Sequence, residues 1–134
     1  MMKGSKIMNV FEECENYLRN EGFNPIKIND GLIRFKAQGL SFLMSNDVSD
    51  PQFFRIIALF DKEQFNASRM NLLEAANKVN SEKKVVKVSL IERNVFITTE
   101  LFLDSTPVIN DFFERLIDIL SQAILDFRLA LNQH

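Results

Sequence analysis

Apolar residues recur every three or four positions in three parts of the chain, and every second position in most of the rest. The longest helical pattern runs from Thr106 to about Leu131, where apolar side chains cover roughly half of a helix circumference. Covering one core requires an apolar stripe of only ~100°. This helix is therefore either the main helix of the domain or partly covered by a second subunit. Leu125 and Leu129 lie even on its polar side.

The first helical pattern, from Met8 to about Glu21, ends at Gly22 and Pro25 and contains the single cysteine of the chain, Cys14. A reactive thiol needs accessible, electropositive surroundings, whereas the glutamates near this position oppose thiolate formation. We expect this cysteine to be a small buried core residue. A single cysteine also excludes an internal disulfide and a cysteine-based metal cluster.

Alternation of apolar and polar residues predicts five strands in two groups, three before the middle helix and two after it. The predicted strands are Leu32–Ala37, Leu40 to about Ser45, about Phe53–Phe60, Lys84–Glu92 and Val95–Leu103. Turn signals between them are Asn29-Asp30-Gly31, Gln38-Gly39 and Arg93-Asn94. Short connections of this kind favour antiparallel pairing.

A middle helix is predicted over Asp61–Asn80, with Asn66 as a plausible N-cap and Asn80 as a left-handed end. For the last helix, Thr106 is the expected N-cap and Pro107 the first helical residue. The predicted order is α-β-β-β-α-β-β-α. We therefore expect an α+β fold, with an antiparallel five-stranded sheet and helices packed mainly on one face. The size fits a single domain, residues 1–134, with residues 1–7 frayed.

Placing the more apolar side of each strand inward defines an expected core. Its members are Ile33, Phe35, Phe42, Phe54, Ile56, Val86, Val88, Ile97, Leu116, Leu120 and Phe127. The same assignment leaves six polar residues outside, namely Arg34, Lys36, Arg55, Lys87, Thr98 and Glu100. Six apolar residues are left outside with them, namely Leu43, Ile57, Leu59, Ile91, Phe96 and Phe102.

This mixture of cations and apolar side chains has two interpretations. The apolar residues are either scattered or covered by a helix, or they form a protein-binding surface, since Phe and Arg are enriched at interface cores. The candidate protein-binding residues are Arg34, Leu43, Arg55, Ile57, Ile91, Phe96 and Phe102. Surplus apolar surface here and on the last helix predicts a homodimer, because a two-fold contact needs only self-complementarity.

The composition argues against nucleic acid and membranes as partners. The formal charge is −2, whereas nucleic-acid binding requires a concentrated basic surface. Thirteen Phe accompany one Tyr and no Trp, which is typical of a core or an apolar groove rather than of a membrane interface. Neither a signal peptide nor an apolar run of transmembrane length is apparent. We therefore expect a cytoplasmic protein that binds neither nucleic acid nor membrane.

The sequence contains few of the residues and motifs that are typical of catalytic and metal sites. The only histidine is His134, which argues against a Ser-His-Asp triad, a Cys-His pair and a histidine-ligated metal. No phosphate-binding glycine motif is present. Asp111, Glu114 and Asp118 share one side of the last helix, but we expect this side to be solvated, with Arg115 paired to Asp111. The sequence thus predicts no catalytic residues, no cofactor and no metal site.

Beyond these patterns, the second half of the chain resembles a known family. The segments that carry the resemblance are Leu73-Glu74-Ala75-Ala76-Asn77-Lys78-Val79-Asn80, Val86-Lys87-Val88-Ser89-Leu90, Phe96-Ile97-Thr98-Thr99-Glu100-Leu101 and the helix from Phe112 to Phe127. They are similar to the YbjN family, whose members are often called candidate bacterial sensory-transduction regulators. The resemblance covers residues 65–130 most clearly and includes no catalytic motif. It implies a fold like that of type III secretion chaperones, and a tendency to bind proteins or to dimerise.

Two functional hypotheses follow. The first is a non-enzymatic partner-binding, chaperone-like or regulatory module, favoured by the surplus apolar surface and the resemblance. The second is a small-ligand sensor, or an enzyme that uses only carboxylate, Lys and Ser chemistry. The second would require a sizeable pocket with convergent polar groups and shifted pKa values.

Overall fold

The computed structural model describes residues 10–47, 49–50, 52–102 and 109–132, which form helices, strands and one short 3-10 helix. In chain order the elements are α1 (Val10–Asn20), β1 (Ile26–Asn29), β2 (Leu32–Ala37), β3 (Leu40–Asn46), β4 (Phe53–Asp61), the 3-10 helix (Lys62–Phe65), α2 (Arg69–Glu82), β5 (Val86–Ile91), β6 (Asn94–Phe102) and α3 (Ile109–Leu131). The predicted caps Thr106 and Pro107, residues 1–7 and His134 lie outside the described residues.

The strands form one antiparallel sheet in the order β1-β2-β3-β4-β6-β5. The α+β class is confirmed, but the sheet has six described strands instead of the predicted five. The additional strand, β1, pairs with β2 through the turn that the Asn29-Asp30-Gly31 signal predicted. All four of its residues are exposed. Ile26 and Ile28 do alternate with Lys27 and Asn29, but the alternation spans only these four residues, which is too short a signal for a strand to be assigned with the others.

The predicted strand faces are correct. Of the expected core residues all are buried except Val86, which is half-buried. Arg34, Lys36 and Lys87 are exposed on the other face, as predicted. The connection between β2 and β3 uses Gln38 (φ 54°) and Gly39 (φ 76°), the two left-handed positions of a tight hairpin turn. This turn fixes the register in which Phe35 lies opposite Phe42.

The core lies between one face of the sheet and the helices, and aromatic rings connect the two layers. The ring centroid of Phe35 is 5.6 Å from that of Phe42 and 5.7 Å from that of Phe113 on α3. Near the other end of α3, the centroid of Phe127 is 5.1 Å from that of Phe65. The two rings meet edge to face, a favourable arrangement for buried aromatics.

The broad apolar sector of α3 is covered within one chain. Its buried members are Phe113, Leu116, Ile117, Leu120, Ala123, Ile124, Phe127 and Ala130. α3 contacts β5 and β6 of the sheet as well as α1 and α2, and all these elements contribute to one core cluster. α3 is therefore the main helix of the domain, and its wide stripe does not require a second subunit. Leu125 and Leu129 remain exposed, as their positions predicted.

The start of α2 differs from the prediction. Ser68, not Asn66, is the N-cap, and its Oγ accepts a hydrogen bond of 3.1 Å from the backbone N–H of Asn71. Asn66 is left-handed and instead ends the 3-10 helix, which Asp61 and Gln64 cap at its start. The predicted helix over 61–80 is thus two helices, separated by the left-handed Asn66 and the extended Ser68. At the β5–β6 turn, Ile91 pairs with Asn94, one residue earlier than the Arg93-Asn94 signal indicated.

Cys14 on α1 is fully buried, as predicted. Burial and, secondarily, the charge of Glu13 raise the pKa of its thiol far above the ordinary range. The thiol therefore stays protonated. Among the described helices, none combines the length and the apolar character that crossing a membrane requires.

Candidate protein-binding face of the sheet

The sheet face opposite the helices, hereafter the outer face, carries the residues that the sequence proposed for partner binding. Cross-strand register places one row at its centre, running from Arg34 on β2 through Leu43, Ile57 and Thr98 to Lys87 on β5. None of the apolar residues of this face belongs to the core cluster that the helices complete. The outer face is therefore a second surface with its own side-chain chemistry.

Ile57 requires a correction. We expected its side chain to be exposed for binding, but it is only 7% accessible, and its neighbour Thr98 is 4% accessible. Ile57 lies on an interior strand, between Leu43 on one side and Thr98 on the other. Side chains directly opposite on paired strands have Cβ atoms only about 5 Å apart, so an interior position is crowded from both sides. Ile57 supports this face and does not offer surface to a partner.

Exposed apolar surface lies instead toward the ends of β4, β5 and β6. Phe102 at the end of β6 is 71% exposed, and its ring packs edge-on against Phe53 with centroids 5.6 Å apart. At the opposite end of the face, Leu59 and Ile91 are exposed and Phe96, which pairs with Leu59, is half-buried. The candidate residues thus form two apolar regions with the central row between them.

Glu100 organises the charges beside the central row. Its Oε1 lies 3.0 Å from the Nζ of Lys87, and its Oε2 lies 3.6 Å from a guanidinium nitrogen of Arg55. Arg55 also donates a hydrogen bond of 3.2 Å from Nε to the Oγ of Ser45. Two of the four cations predicted for this face therefore share an acidic partner. Such half-exposed pairs add little stability.

The other two cations, Arg34 and Lys36, are exposed two residues apart on β2. Neither has an ion-pair or hydrogen-bond partner within the described residues. Arg34 borders a shallow groove of about 180 Å3 that is lined by Arg34, Ser41, Phe42, Leu43 and Leu59. The groove places an unpaired guanidinium next to apolar side chains, which is a suitable arrangement for a partner residue of mixed character.

A second depression, of about 460 Å3, lies where the outer face meets the β3–β4 loop. It is lined by Ser45, Asn46, Asp47, Ser49, Phe53 and Arg55. Asp47 accepts hydrogen bonds from the hydroxyl and the backbone N–H of Ser49, at 2.7 and 3.0 Å. These bonds, with a smaller contribution from the charge of Arg55, lower the pKa of Asp47. The carboxylate is thus held ionised by its own loop and is not suited to act as a base.

The edge of the sheet at β5 is closed by a side chain that sequence reasoning misread. Asn80 lies inside α2, not at a left-handed end. Its Oδ1 accepts a 2.7 Å hydrogen bond from the backbone N–H of Val88, and its Nδ2 donates a 3.1 Å bond to the carbonyl of the same residue. The amide thereby replaces a neighbouring strand at this point. An open edge invites pairing with another chain, so Asn80 protects β5 from added strands.

Glu114 and Asp118 on the acidic side of α3 are exposed, as predicted, but they also contact neighbouring elements. Glu114 accepts a 3.1 Å hydrogen bond from the hydroxyl of Tyr17 on α1, and Asp118 accepts a 2.6 Å bond from Nε2 of Gln38 in the β2–β3 turn. Burial, together with the bond to Glu114, raises the pKa of Tyr17 to about 12. These carboxylates connect α3 to its neighbours. The side chain of Asp111, and so its predicted pair with Arg115, lies outside the description.

Groups with shifted pKa values do not converge on one cavity. Cys14 is in the core, Tyr17 is on α1, Asp47 is in a loop and Asp126 is on α3. Within the described residues, no three His, Cys, Asp or Glu side chains are grouped so as to hold a metal ion.

Comparison with known proteins shows similarity of fold. No family model matches the sequence, and no curated protein matches it. An uncharacterised protein from Methanothermobacter thermautotrophicus aligns with a TM-score of 0.65 at 14% identity, over 91% of this chain and 96% of that one. YbjN from E. coli, for which a role as a transcription regulator has been proposed, aligns with a TM-score of 0.63 at 10% identity, over 90% and 89% of the two chains. The YbjN-like fold is thus shown.

Proposed function

We propose that the chain is a non-catalytic protein-binding module, regulatory or chaperone-like in role, that receives a partner protein on the outer face of its sheet. One observation carries the proposal. The outer face combines exposed apolar side chains, such as Leu59 and Phe102, with cations, while the core is completed by the opposite face. Apolar surface next to arginine is typical of interfaces that bind proteins.

We also infer that the chain is a YbjN-type protein. Support comes from the residue pattern around Asn77 and Asn80 and from a shared fold over nine-tenths of E. coli YbjN. In this interpretation the protein acts in the bacterial cytoplasm by binding other proteins. The proposed regulatory role of YbjN itself is consistent with a module that works by association.

The non-catalytic part of the proposal rests on how the reactive groups are distributed. The Cys14 thiol is buried and stays protonated, and the groups with shifted pKa values are distributed over α1, the β3–β4 loop and α3. The two cavities that border the outer face, of about 460 and 180 Å3, are shallow. A small-ligand sensor or a carboxylate-dependent enzyme would instead place several polar groups around one pocket. We propose that no cofactor and no metal takes part.

A second copy of this chain is a poor occupant for the outer face. Two such faces brought together would place the unpaired cations of both β2 strands in one interface without adding an unpaired acidic group, since Glu100 is already paired. Like charges across an interface cost binding energy. Nucleic acid is also disfavoured, because Glu100 neutralises the centre of the face and a phosphate backbone needs a continuous series of cations. The binding of membranes has no support in the aromatic composition, which lacks Trp.

We propose that the protein is a homodimer through the outward side of α3. Leu125 and Leu129 are 49% and 51% exposed and lie one helical turn apart. In an antiparallel pair of α3 helices with the two-fold axis near Phe127, Leu125 of one copy would lie opposite Leu129 of the other. Light scattering at micromolar concentration tests this proposal. Twice the mass of one chain, reduced to a single mass by Leu125→Glu with Leu129→Glu, is expected, and a monomer mass for the unaltered protein contradicts the dimer.

Partner binding is tested by comparing capture from native lysate across matched variants. Leu59→Asp with Phe102→Asp places two carboxylates on the outer face at positions that are already exposed, so the fold should be retained. Met70→Asp with Leu73→Asp makes the same change at exposed positions of α2. A protein captured by the wild type and by the α2 variant, but lost from the outer-face variant, supports the proposal. Equal capture by both variants, with equal thermal midpoints, contradicts it.

A further inference from the structure

We propose that the segment bound by the outer face is acidic and carries an apolar anchor, with its carboxylates on Arg34 and Lys36 and its anchor in the groove beside Leu59. This inference rests on the proposed function and specifies the chemistry of the partner at the same face.

The charge distribution within the face indicates where an acidic group would bind. Glu100 already contacts Arg55 and Lys87, so a carboxylate arriving there would meet an occupied pair. Arg34 and Lys36 have no such partner in the described part of the chain. An incoming carboxylate would therefore form its most favourable ion pairs with Arg34 and Lys36 on β2. Arginine also offers two parallel N–H groups to a carboxylate, which lysine cannot do.

Geometry adds a second requirement for the partner. Residues two apart on a strand project from the same face, about 7 Å from each other, so Arg34 and Lys36 match two carboxylates at a similar spacing. The groove of about 180 Å3 begins at Arg34 and continues past Leu43 to Leu59. Its volume fits one medium-sized side chain, such as Leu or Phe. A partner segment with an apolar residue next to two acidic ones would satisfy all three features together.

An acidic protein segment explains these features better than a phosphate backbone. The free cations are confined to β2, whereas the middle of the face is occupied by an acidic residue with its two cationic neighbours. Phosphates follow one another at short, regular intervals and would meet Glu100 on extending across the face. A short segment with two carboxylates and an apolar anchor needs only the β2 side of the sheet.

The experiment is an NMR titration of 15N-labelled full-length protein with two blocked peptides. One is an acidic heptapeptide of alternating Glu and Leu, and the other is the same peptide with Lys in place of Glu. Amide shifts centred on β2, β3 and the Leu59 region of β4, with at least about tenfold weaker binding of the Lys peptide, are expected. This tenfold difference in affinity corresponds to two exposed ion pairs that the acidic peptide forms and to two like-charge repulsions that it avoids.

Charge reversal localises the effect. Arg34→Glu with Lys36→Glu should weaken binding of the acidic peptide by about tenfold or more. Arg115→Glu with Lys78→Glu, a matched change at exposed helical positions, should leave it within about twofold. Equal binding of both peptides, shifts centred away from β2, or an affinity for oligothymidylate above that for the acidic peptide would each overturn the inference.

The same variants separate failure of the inference from failure of the proposed function. If capture from lysate is lost in Leu59→Asp with Phe102→Asp but unchanged in Arg34→Glu with Lys36→Glu, the outer face binds a partner and the inferred chemistry is wrong. If neither variant affects capture, the proposed function itself is wrong.

Discussion

The two faces of the sheet have the same strands and opposite chemistry. On the inner face Phe35, Phe54 and Ile97 are nearly inaccessible and contact the helices through aromatic and aliphatic side chains. The outer face carries both cations and apolar residues, and accessibility rises from the buried centre at Ile57 to the exposed ends at Leu59 and Phe102. The inner face explains why the chain folds, whereas the outer face has features that folding alone does not require.

The largest difference between the faces should appear in stability. Phe127 is fully buried against the inner layer, whereas Phe102 is mostly exposed on the outer face. Phe127→Ala should lower the free energy of unfolding by about 3–5 kcal/mol, because it leaves a cavity. The same change at Phe102 should cost under about 1 kcal/mol. Urea unfolding measures both values, and comparable losses at the two positions would contradict the distinction between the faces.

Ile57 tests how far the outer face is packed. Ile57→Glu should lower the free energy of unfolding by about 2–4 kcal/mol, since it buries a carboxylate without an arranged partner. Leu59→Glu, two residues along the same face, should change it by less than about 1 kcal/mol because that side chain is exposed. Thermal and urea unfolding provide the comparison. Equal losses of stability in the two variants would show that the side chain of Ile57 is more accessible to solvent than the structure indicates.

A change at Asn80 tests whether its side chain protects the β5 edge of the sheet. Asn80→Ala removes two hydrogen bonds to Val88 and should cost about 1–3 kcal/mol. The neighbouring Asn77→Ala on the exposed side of α2 is a control for helix propensity and should change stability by a few tenths of a kcal/mol at most. Hydrogen exchange should also accelerate at the Val88 amide in the first variant. An unchanged exchange rate there would contradict the protective role of Asn80.

The smallest expected effect is a pH dependence on the helical side. Burial alone would raise the pKa of Asp126, but hydrogen bonds from Lys83 and Gln122 and the charge of Lys83 lower it below 3.8. The ionised form is therefore favoured in the folded state. Its contribution to stability is present above the unfolded pKa and is lost as the pH falls through the lower folded value.

Comparison with Asp126→Asn isolates this contribution. The stability difference between wild type and variant should be constant from pH 5 to 7 and shrink below about pH 4. Urea unfolding at pH 6 and pH 3 measures the change. A difference that is the same at both pH values would show that the Lys83 pair does not favour the charged form.

Much of the fold could be predicted because each interior strand has one mostly buried side. Alternation of that kind assigned Ile33, Phe35 and Phe42 to the core correctly. It did not assign β1, whose alternation of Ile26 and Ile28 with polar residues spans only four positions, nor the break at Asn66, where a left-handed residue separates two helices. Hydrophobic periodicity shows which side of an element is apolar, and it does not show a left-handed residue that ends one helix before the next begins.

The candidate site was only partly predictable for the same reason. Strand parity correctly assigned Arg34, Leu43 and Phe96 to one face. Alternation along a strand shows on which face a side chain lies. It does not show how closely neighbouring side chains surround it, so the burial of Ile57 was not predicted. The role of Asn80 depends on a contact between α2 and β5, and a helical Asn has the same sequence signal whether or not it makes one.

Site-specific photocrosslinking in the native host tests most directly whether a partner binds the outer face. A benzophenone amino acid at Phe102 probes the outer face, and the same group at Met70 on α2 provides a control of similar accessibility, 71% against 66%. A covalent adduct with a different protein from position 102, and none from position 70, is the predicted result. An adduct from position 70 with none from position 102 would contradict the proposal that this face binds the partner.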